Sequence, residues 1–141
     1  MIKTINVMKK LILFLLLGFT FSCGDDSNDF VGTYEIVEFN IECGEPDPTS
    51  ISINASNGCL TVEGSMYCVT LTFNEDGTGS RSITNDGDVD SGTFTYTSNE
   101  AGDILTICSD GDCFDMEYTG SQVLWKEIED DCTTTQVLEK I

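Results

Sequence analysis

Apolar and polar residues alternate along most of this chain, and turn sequences interrupt the alternation about every 8–12 residues. In Cys68–Phe73 the apolar side chains alternate with threonines, so that Val69 and Leu71 share one face of an extended strand. Asn74–Gly77 follows as a hairpin turn whose glycine is free to take a positive φ. Beyond residue 30 no helical period reaches helix length. The chain after that point is therefore predicted to be antiparallel and all-β.

The other predicted strands follow the same pattern, and a phase slip at Ile36–Val37 in the first of them predicts a β-bulge. They are Thr33–Ile41, Ile51–Ile53, Gly79–Thr84, Thr93–Thr97, Ile104–Cys108, Cys113–Thr119, Gln122–Ile128 and Thr133–Lys140, with Asn85–Ser91 as an acidic turn. A meander of about eight strands removes its exposed edges most simply by closing into a barrel. A two-sheet β-sandwich is the alternative.

The start of the chain has the pattern of an export signal. Lys9 and Lys10 precede the apolar run Leu11–Phe21, and Ser22 and Cys23 follow it. As a helix this run would span only about 16 Å, whereas a bilayer core needs about 30 Å. Residues 1–22 are therefore predicted to be a signal peptide and not a membrane-spanning anchor.

Ser22-Cys23 after the apolar run resembles a bacterial lipobox, in which the cysteine is acylated and becomes the first residue of the mature protein. The resemblance implies lipidation at Cys23. Residues 23–29, short, polar and without a hydrophobic pattern, are predicted to be an acidic tether, and the strand pattern places the barrel domain at residues 30–141. Acidic residues directly after the cysteine resemble the export tag of surface lipoproteins in Bacteroidota. This implies an outer-membrane location, with the cell surface favoured over the periplasmic face.

The charge of the chain excludes one class of partner. All 25 acidic residues lie after residue 22, where Arg81, Lys126 and Lys140 are the only basic residues, so residues 23–141 carry a net charge of −22. Phosphate backbones are repelled by such a surface, and no nucleic-acid partner is expected. Cationic ligands, cationic peptides and divalent metals stay open, as does the simpler reading that the acidic surface keeps an exported protein soluble.

Six cysteines remain beside Cys23, an even number in an exported chain, which predicts disulfides. Cys108 and Cys113 bracket the turn between two strands of one predicted hairpin, so they are expected to face each other. Cys43 ends the first strand and Cys132 precedes the last, and these strands are neighbours in a closed meander with an even strand count. Elimination leaves the third pair. The predicted bridges are therefore Cys43–Cys132, Cys59–Cys68 and Cys108–Cys113.

Catalytic chemistry has little support in the sequence. The chain contains no histidine, which removes the commonest general base and metal ligand and every Ser–His or Cys–His nucleophile pair. Cysteines joined in disulfides do not act as thiolate nucleophiles. We therefore expect no enzyme activity and no cofactor.

Asp86, Asp88 and Asp90 form the sharpest candidate for a metal site, since carboxylates at alternate positions can converge on Ca²⁺ when a loop curls. An EF-hand loop would need glycine and glutamate where Ser91 and Thr97 stand. We therefore interpret the segment as an acidic hairpin turn, without a metal.

Five short segments resemble the lipocalin-like domains of small bacterial lipoproteins. They are Gly32–Ile36, Leu71–Gly79, Gly92–Tyr96, Gly102–Ile107 and Gln136–Ile141. The resemblance implies an up-and-down β-barrel that can hold a small apolar ligand, and it implies no catalytic residues.

Four aromatic residues are the candidates for lining such a cavity: Phe94, Tyr96, Phe114 and Trp125. The leading hypothesis is a membrane-anchored lipoprotein that binds a small hydrophobic or amphipathic molecule. The alternative is a surface-displayed structural or protein-interaction module, with a barrel filled by its own side chains and a protein partner that the sequence does not identify. An internal cavity would favour the first hypothesis, and a closed aromatic interior the second.

Overall fold

A computed structural model describes residues 29–45 and 48–141 as strands and turns. The predicted signal peptide, Cys23 and the tether up to residue 28 lie outside these residues. The described residues form ten strands: β1 (Gly32–Cys43), β2 (Thr49–Asn54), β3 (Cys59–Val62), β4 (Ser65–Phe73), β5 (Thr78–Asn85), β6 (Asp88–Ser98), β7 (Ile104–Ser109), β8 (Asp112–Tyr118), β9 (Gln122–Glu129) and β10 (Cys132–Lys140). In the described part of the chain, no helix is long and apolar enough to cross a membrane.

Eight of the strands close into an antiparallel barrel. Strands β4 to β10 form a meander in sequence order, and β1 pairs with β10 on one side and with β4 on the other. The pairing of β1 with both β10 and β4 closes these eight strands on themselves. The predicted up-and-down barrel is confirmed, and the alternative of a two-sheet sandwich is wrong.

Strands β2 and β3 are additions to the barrel wall. Only the first residues of β1, Gly32–Glu35, pair with β4; beyond them β2 pairs with β1, and β3 pairs with the start of β4. Leu60 of β3 is fully buried, because the β2–β3 segment fills the gap where β1 and β4 separate. The sequence prediction included β2 but had no strand at Cys59–Val62.

The bulge predicted in β1 is confirmed by a register shift between Ile36 and Glu38 in its pairing with β10. The acidic turn predicted over Asn85–Ser91 is wrong in extent, since β6 begins at Asp88. Only Asp86 and Gly87 form the turn, and both have positive φ, 49° and 95°. Two consecutive residues with positive φ suit a two-residue hairpin turn, which lets the strands pair up to the turn itself.

The two ends of the barrel differ. We call the base the end where β1 begins and where the turns at residues 74–77, 99–103 and 119–121 lie. We call the mouth the opposite end, with the turns at 86–87, 110–111 and 130–131. Phe73 packs edge-on against Tyr34 and Tyr96 near the base, with ring centroids 5.7 and 5.1 Å apart. The base is therefore filled by its own side chains.

Three tyrosines hold the base together through their hydroxyl groups. Tyr34 donates to the carbonyl of Phe30 at 2.9 Å, Tyr118 donates to the carbonyl of Gly120 at 2.6 Å, and Tyr96 donates to the carbonyl of Asn74. Burial raises the pKa of Tyr34 and of Tyr96, so both phenols stay neutral at physiological pH. Each hydrogen bond fixes a turn or an entering segment to the barrel wall.

The described residues contain three disulfides, and they are the three predicted pairs. Cys43–Cys132 joins β1 to β10, Cys59–Cys68 joins β3 to β4, and Cys108–Cys113 joins β7 to β8. In every pair the two cysteines are directly opposite each other in the strand register, with Cα atoms 4.0 to 4.2 Å apart. The first bridge ties together the two ends of the meander.

Candidate functional site

A cavity of about 280 Å³ lies inside the barrel on the side of the mouth. This volume is close to the lower limit of about 300 Å³ for pockets that hold small organic ligands. Buried apolar side chains form its floor: Leu71, Phe94, Ile107 and Met116. The floor separates the cavity from the aromatic packing at the base.

Phe94 reaches the floor of the cavity because of a glycine on the neighbouring strand. Gly79 is directly opposite Phe94 in the pairing of β5 with β6. A Cβ atom at residue 79 would lie 2.2 Å from the Phe94 ring, so only glycine leaves room for it. The ring thus lies against the backbone of β5, with Tyr96 and Phe73 packed on the side of the base.

The cavity opens above the shortest hairpin of the barrel. Strands β7 and β8 have six and seven residues, whereas β6 has eleven and β9 and β10 have eight and nine. The pairing of β8 with β9 also ends at the pair formed by Glu117 and Leu124, so these two strands separate toward the mouth. The barrel wall is therefore lowest at the Asp110-Gly111 turn, where the cavity meets solvent.

Two aromatic rings line the cavity beside this opening. Phe114 of β8 and Trp125 of β9 stack with their ring centroids 5.3 Å apart and their planes 20° apart. Phe114 is 37% exposed even though its strand position faces the interior. An exposed aromatic face inside a barrel is available for contact with a ligand.

Arg81 also points into the barrel. Leu71, Arg81 and Gly92 are opposite one another across β4, β5 and β6, and opposite residues share a face of the sheet. Since Leu71 is part of the core, Arg81 lies on the inner face as well. A Cβ atom at Gly92 would lie 3.3 Å from Arg81 Nε, so the side chain passes closely over this glycine. An arginine thus lines an otherwise largely apolar cavity.

Three carboxylates stand close to the cavity opening. Asp90 forms an ion pair with Arg81, with Asp90 Oδ2 and Arg81 Nη1 3.0 Å apart. Asp110 and Asp112 line the cavity at the β7–β8 turn, and Asp110 accepts a hydrogen bond from Ser109 Oγ at 3.4 Å. Arg81 thus has a carboxylate partner on the neighbouring strand, whereas Asp110 and Asp112 form no ion pair among the described residues.

The four aromatic candidates do not share one site. Phe94, Phe114 and Trp125 line the cavity, but Tyr96 does not, because its ring lies nearer the base and its hydroxyl is bonded to a turn there. Sequence reasoning missed Arg81, although Arg81 and Ile83 are two positions apart on β5 and therefore share one face of the strand. A charged residue at an inward position was not expected from the apolar pattern.

The aspartates considered for a metal site have separate roles. Asp86 Oδ1 accepts a hydrogen bond from the Met66 amide at 2.8 Å, and Asp90 pairs with Arg81. Within residues 29–45 and 48–141, no group of three or more acidic or cysteine side chains is placed to hold a metal ion. The Asp86 side chain therefore stabilises the hairpin turn, and the Asp90 side chain pairs with an arginine of the cavity lining.

Comparison with known proteins finds no family model, no curated protein and no solved structure that matches this chain. The class of protein is therefore defined by the fold and the cavity themselves. It is a closed, eight-stranded antiparallel β-barrel of lipocalin-like architecture, filled at its base and open at its mouth. Membership of the lipocalin-like lipoproteins stays a prediction from short sequence motifs.

Proposed function

We propose that this protein is a lipid-anchored lipoprotein of the outer membrane whose barrel binds a small hydrophobic or amphipathic molecule. The cavity of about 280 Å³ at the mouth carries this proposal. Its floor is apolar, its wall includes the stacked rings of Phe114 and Trp125, and its charged lining residues are Arg81 and the two aspartates at the opening. Pockets of this kind bind small organic molecules, with the apolar lining providing affinity and a few polar groups fixing orientation. We propose no catalytic activity.

The position of Phe30 supports an arrangement in which the mouth points away from the membrane. Phe30 is buried at the base, where its ring packs edge-on against Tyr96 and Tyr118 with centroids 5.6 and 6.0 Å away. Cys23 lies seven residues earlier in the chain, so a lipid there holds the base within about 25 Å of the bilayer. Ligands then enter from the aqueous side, and cell-surface display would expose the mouth to the medium.

The anchor is tested by Cys23→Ala. The variant should lose its membrane association, because each buried methylene of an acyl chain contributes about 0.8 kcal/mol and several chains act together. Fractionation of cells into membrane and soluble parts, with and without detergent, measures this. Ser22→Ala is the matched control and should stay with the membrane. Detergent-dependent membrane partitioning of the Cys23→Ala variant would contradict the anchor.

Ligand binding is tested with the neutral fluorescent probe N-phenyl-1-naphthylamine. We expect saturable binding with one site per barrel, and we expect Ile83→Phe to weaken it at least about tenfold by filling the cavity. Ile83 is a half-buried residue that lines the cavity on β5. The matched control is Val89→Phe, because Val89 is 65% exposed and does not line this cavity.

Two outcomes would count against binding in the cavity. If both phenylalanine variants bind the probe as the parent protein does, the probe binds elsewhere. If the parent protein shows no saturable binding, the alternative of a structural or interaction module without a small ligand is favoured. The filled aromatic base is compatible with that alternative, and the open mouth is the observation against it.

A further inference from the structure

The charges at the cavity indicate which amphipathic molecules fit it. Arg81, Asp110 and Asp112 are the charged residues of the lining, and Asp90 joins them through its ion pair with Arg81. These four groups sum to a net charge of −2 at neutral pH. The cavity opening is therefore negative even though a guanidinium lies inside it.

Arg81 is a poor anchor for an anionic ligand in this arrangement. Its Nη1 already faces Asp90 Oδ2 at 3.0 Å, and the side chain is held over Gly92. An anion reaching the guanidinium would stand beside Asp90 and would approach through an opening that also carries Asp110 and Asp112. At such separations like charges repel, and the net charge of −22 on residues 23–141 opposes the approach from a distance.

A cation meets the opposite conditions. Within residues 29–45 and 48–141 the carboxylate of Asp112 has no hydrogen bond or ion pair, and the carboxylate of Asp110 accepts only one weak hydrogen bond. The stacked rings of Phe114 and Trp125 line the same cavity, and the faces of aromatic rings attract cations. An ammonium group at the opening would therefore contact carboxylates and aromatic faces while an apolar body fills the floor below.

We infer that the ligand of this cavity is a small amine that is protonated at neutral pH and carries an apolar body of about the size of a phenyl ring. The amine lies at the β7–β8 turn between Asp110 and Asp112. The apolar body lies against Phe94, Ile107 and Met116. This inference rests on the proposed function, since it names the class of molecule for the same cavity.

Three probes of similar size and different charge test the inference: phenethylamine as the cation, ethylbenzene as the neutral molecule and 3-phenylpropanoate as the anion. The full chain is reconstituted in phosphatidylcholine liposomes, with empty liposomes as the blank. Trp125 is the only tryptophan of the chain and lines the cavity. Its fluorescence therefore reports binding of the three probes, which do not absorb at the excitation wavelength of tryptophan. We expect the Kd of phenethylamine to be about tenfold lower than that of 3-phenylpropanoate, with ethylbenzene between them.

The double variant Asp110→Asn/Asp112→Asn should bring the three Kd values to within about threefold of one another. High salt should also reduce the differences between the Kd values, but by less, because it only screens the charges. Glu75→Gln/Glu100→Gln is the matched control, since it removes the same charge from exposed turns at the base. That control should leave the preference for the amine unchanged.

The outcomes separate this inference from the proposed function. Equal Kd values for the three probes in the parent protein would overturn the inference and leave binding in the cavity standing. Tighter binding of 3-phenylpropanoate that is lost in Arg81→Gln would also overturn it, with the guanidinium as the anchor. Absence of any saturable response to all three probes would overturn the inference, and the proposed function falls with it if N-phenyl-1-naphthylamine also fails to bind.

Discussion

Replacing both cysteines of the Cys43–Cys132 bridge with alanine is expected to lower the free energy of unfolding by about 4–5 kcal/mol. The equivalent change at Cys108–Cys113 is expected to lower it by about 2 kcal/mol, and at Cys59–Cys68 by about 2.5 kcal/mol. The sequence separations of the three pairs, 89, 5 and 9 residues, account for this order. A longer closed loop removes more conformational freedom from the unfolded chain.

The first bridge also occupies a special place in the fold. It joins the end of β1 to the start of β10, which are the first and last strands of the barrel. Near Cys43, β1 is no longer paired with β4, so β10 and β2 are its strand neighbours there. Without the bridge, the pairing that closes the barrel depends on contacts between residues far apart in the chain.

Urea unfolding, followed by the fluorescence of Trp125 and analysed by linear extrapolation, measures these differences. The three double-alanine variants serve as controls for one another, because each removes two cysteines that lie opposite one another on neighbouring strands. Equal losses for the three pairs would show that loop length does not set the contribution of the bridges. A variant that lacks the first bridge and keeps the full stability would contradict the argument directly.

Much of the fold follows from local pattern. Alternation indicates which residues face inward, as for Val69, Leu71 and Phe73, and Asp-Gly pairs indicate where hairpins turn. Once a closed meander is assumed, first and last strands must be neighbours, and this places Cys43 beside Cys132. These inferences need only the period of a strand and the topology of a barrel.

The height of a side chain along the barrel axis does not follow from local pattern. Tyr96 and Trp125 both alternate inward, yet Tyr96 lies toward the base and Trp125 lines the cavity at the mouth. Height depends on the stagger between neighbouring strands, which is set by the closure of the whole barrel. This is why three of the four aromatic candidates line the cavity and the fourth does not.

The end of the pairing between β1 and β4 after Glu35 does not follow from local pattern either. It accompanies the β2–β3 segment, in which Leu60 is buried and β3 pairs with the part of β4 that β1 does not reach. The sequence of β3, Cys59–Val62, is too short to show a clear alternation. Arg81 was overlooked for a different reason, since an inward arginine is tolerated only because Asp90 and the open mouth provide a partner and water.

Tyr34→Ala is expected to lower the free energy of unfolding by about 3–5 kcal/mol, the range for truncating a buried aromatic side chain. Tyr34 is fully buried on β1, where it is opposite Lys140 of β10 and Leu71 of β4. Its ring packs edge-on against Phe73, so the substitution leaves a void in the aromatic base.

Tyr34→Phe separates the hydroxyl from the ring and is expected to lower the free energy of unfolding by only about 1–3 kcal/mol, because it leaves the Phe30 carbonyl without its donor. Urea unfolding of both variants gives the two values. Since Tyr34 lies at the base and does not line the cavity, the Kd for N-phenyl-1-naphthylamine should stay unchanged in Tyr34→Phe. A loss of stability as large in Tyr34→Phe as in Tyr34→Ala would show that the hydrogen bond, and not the packing of the ring, holds the base closed.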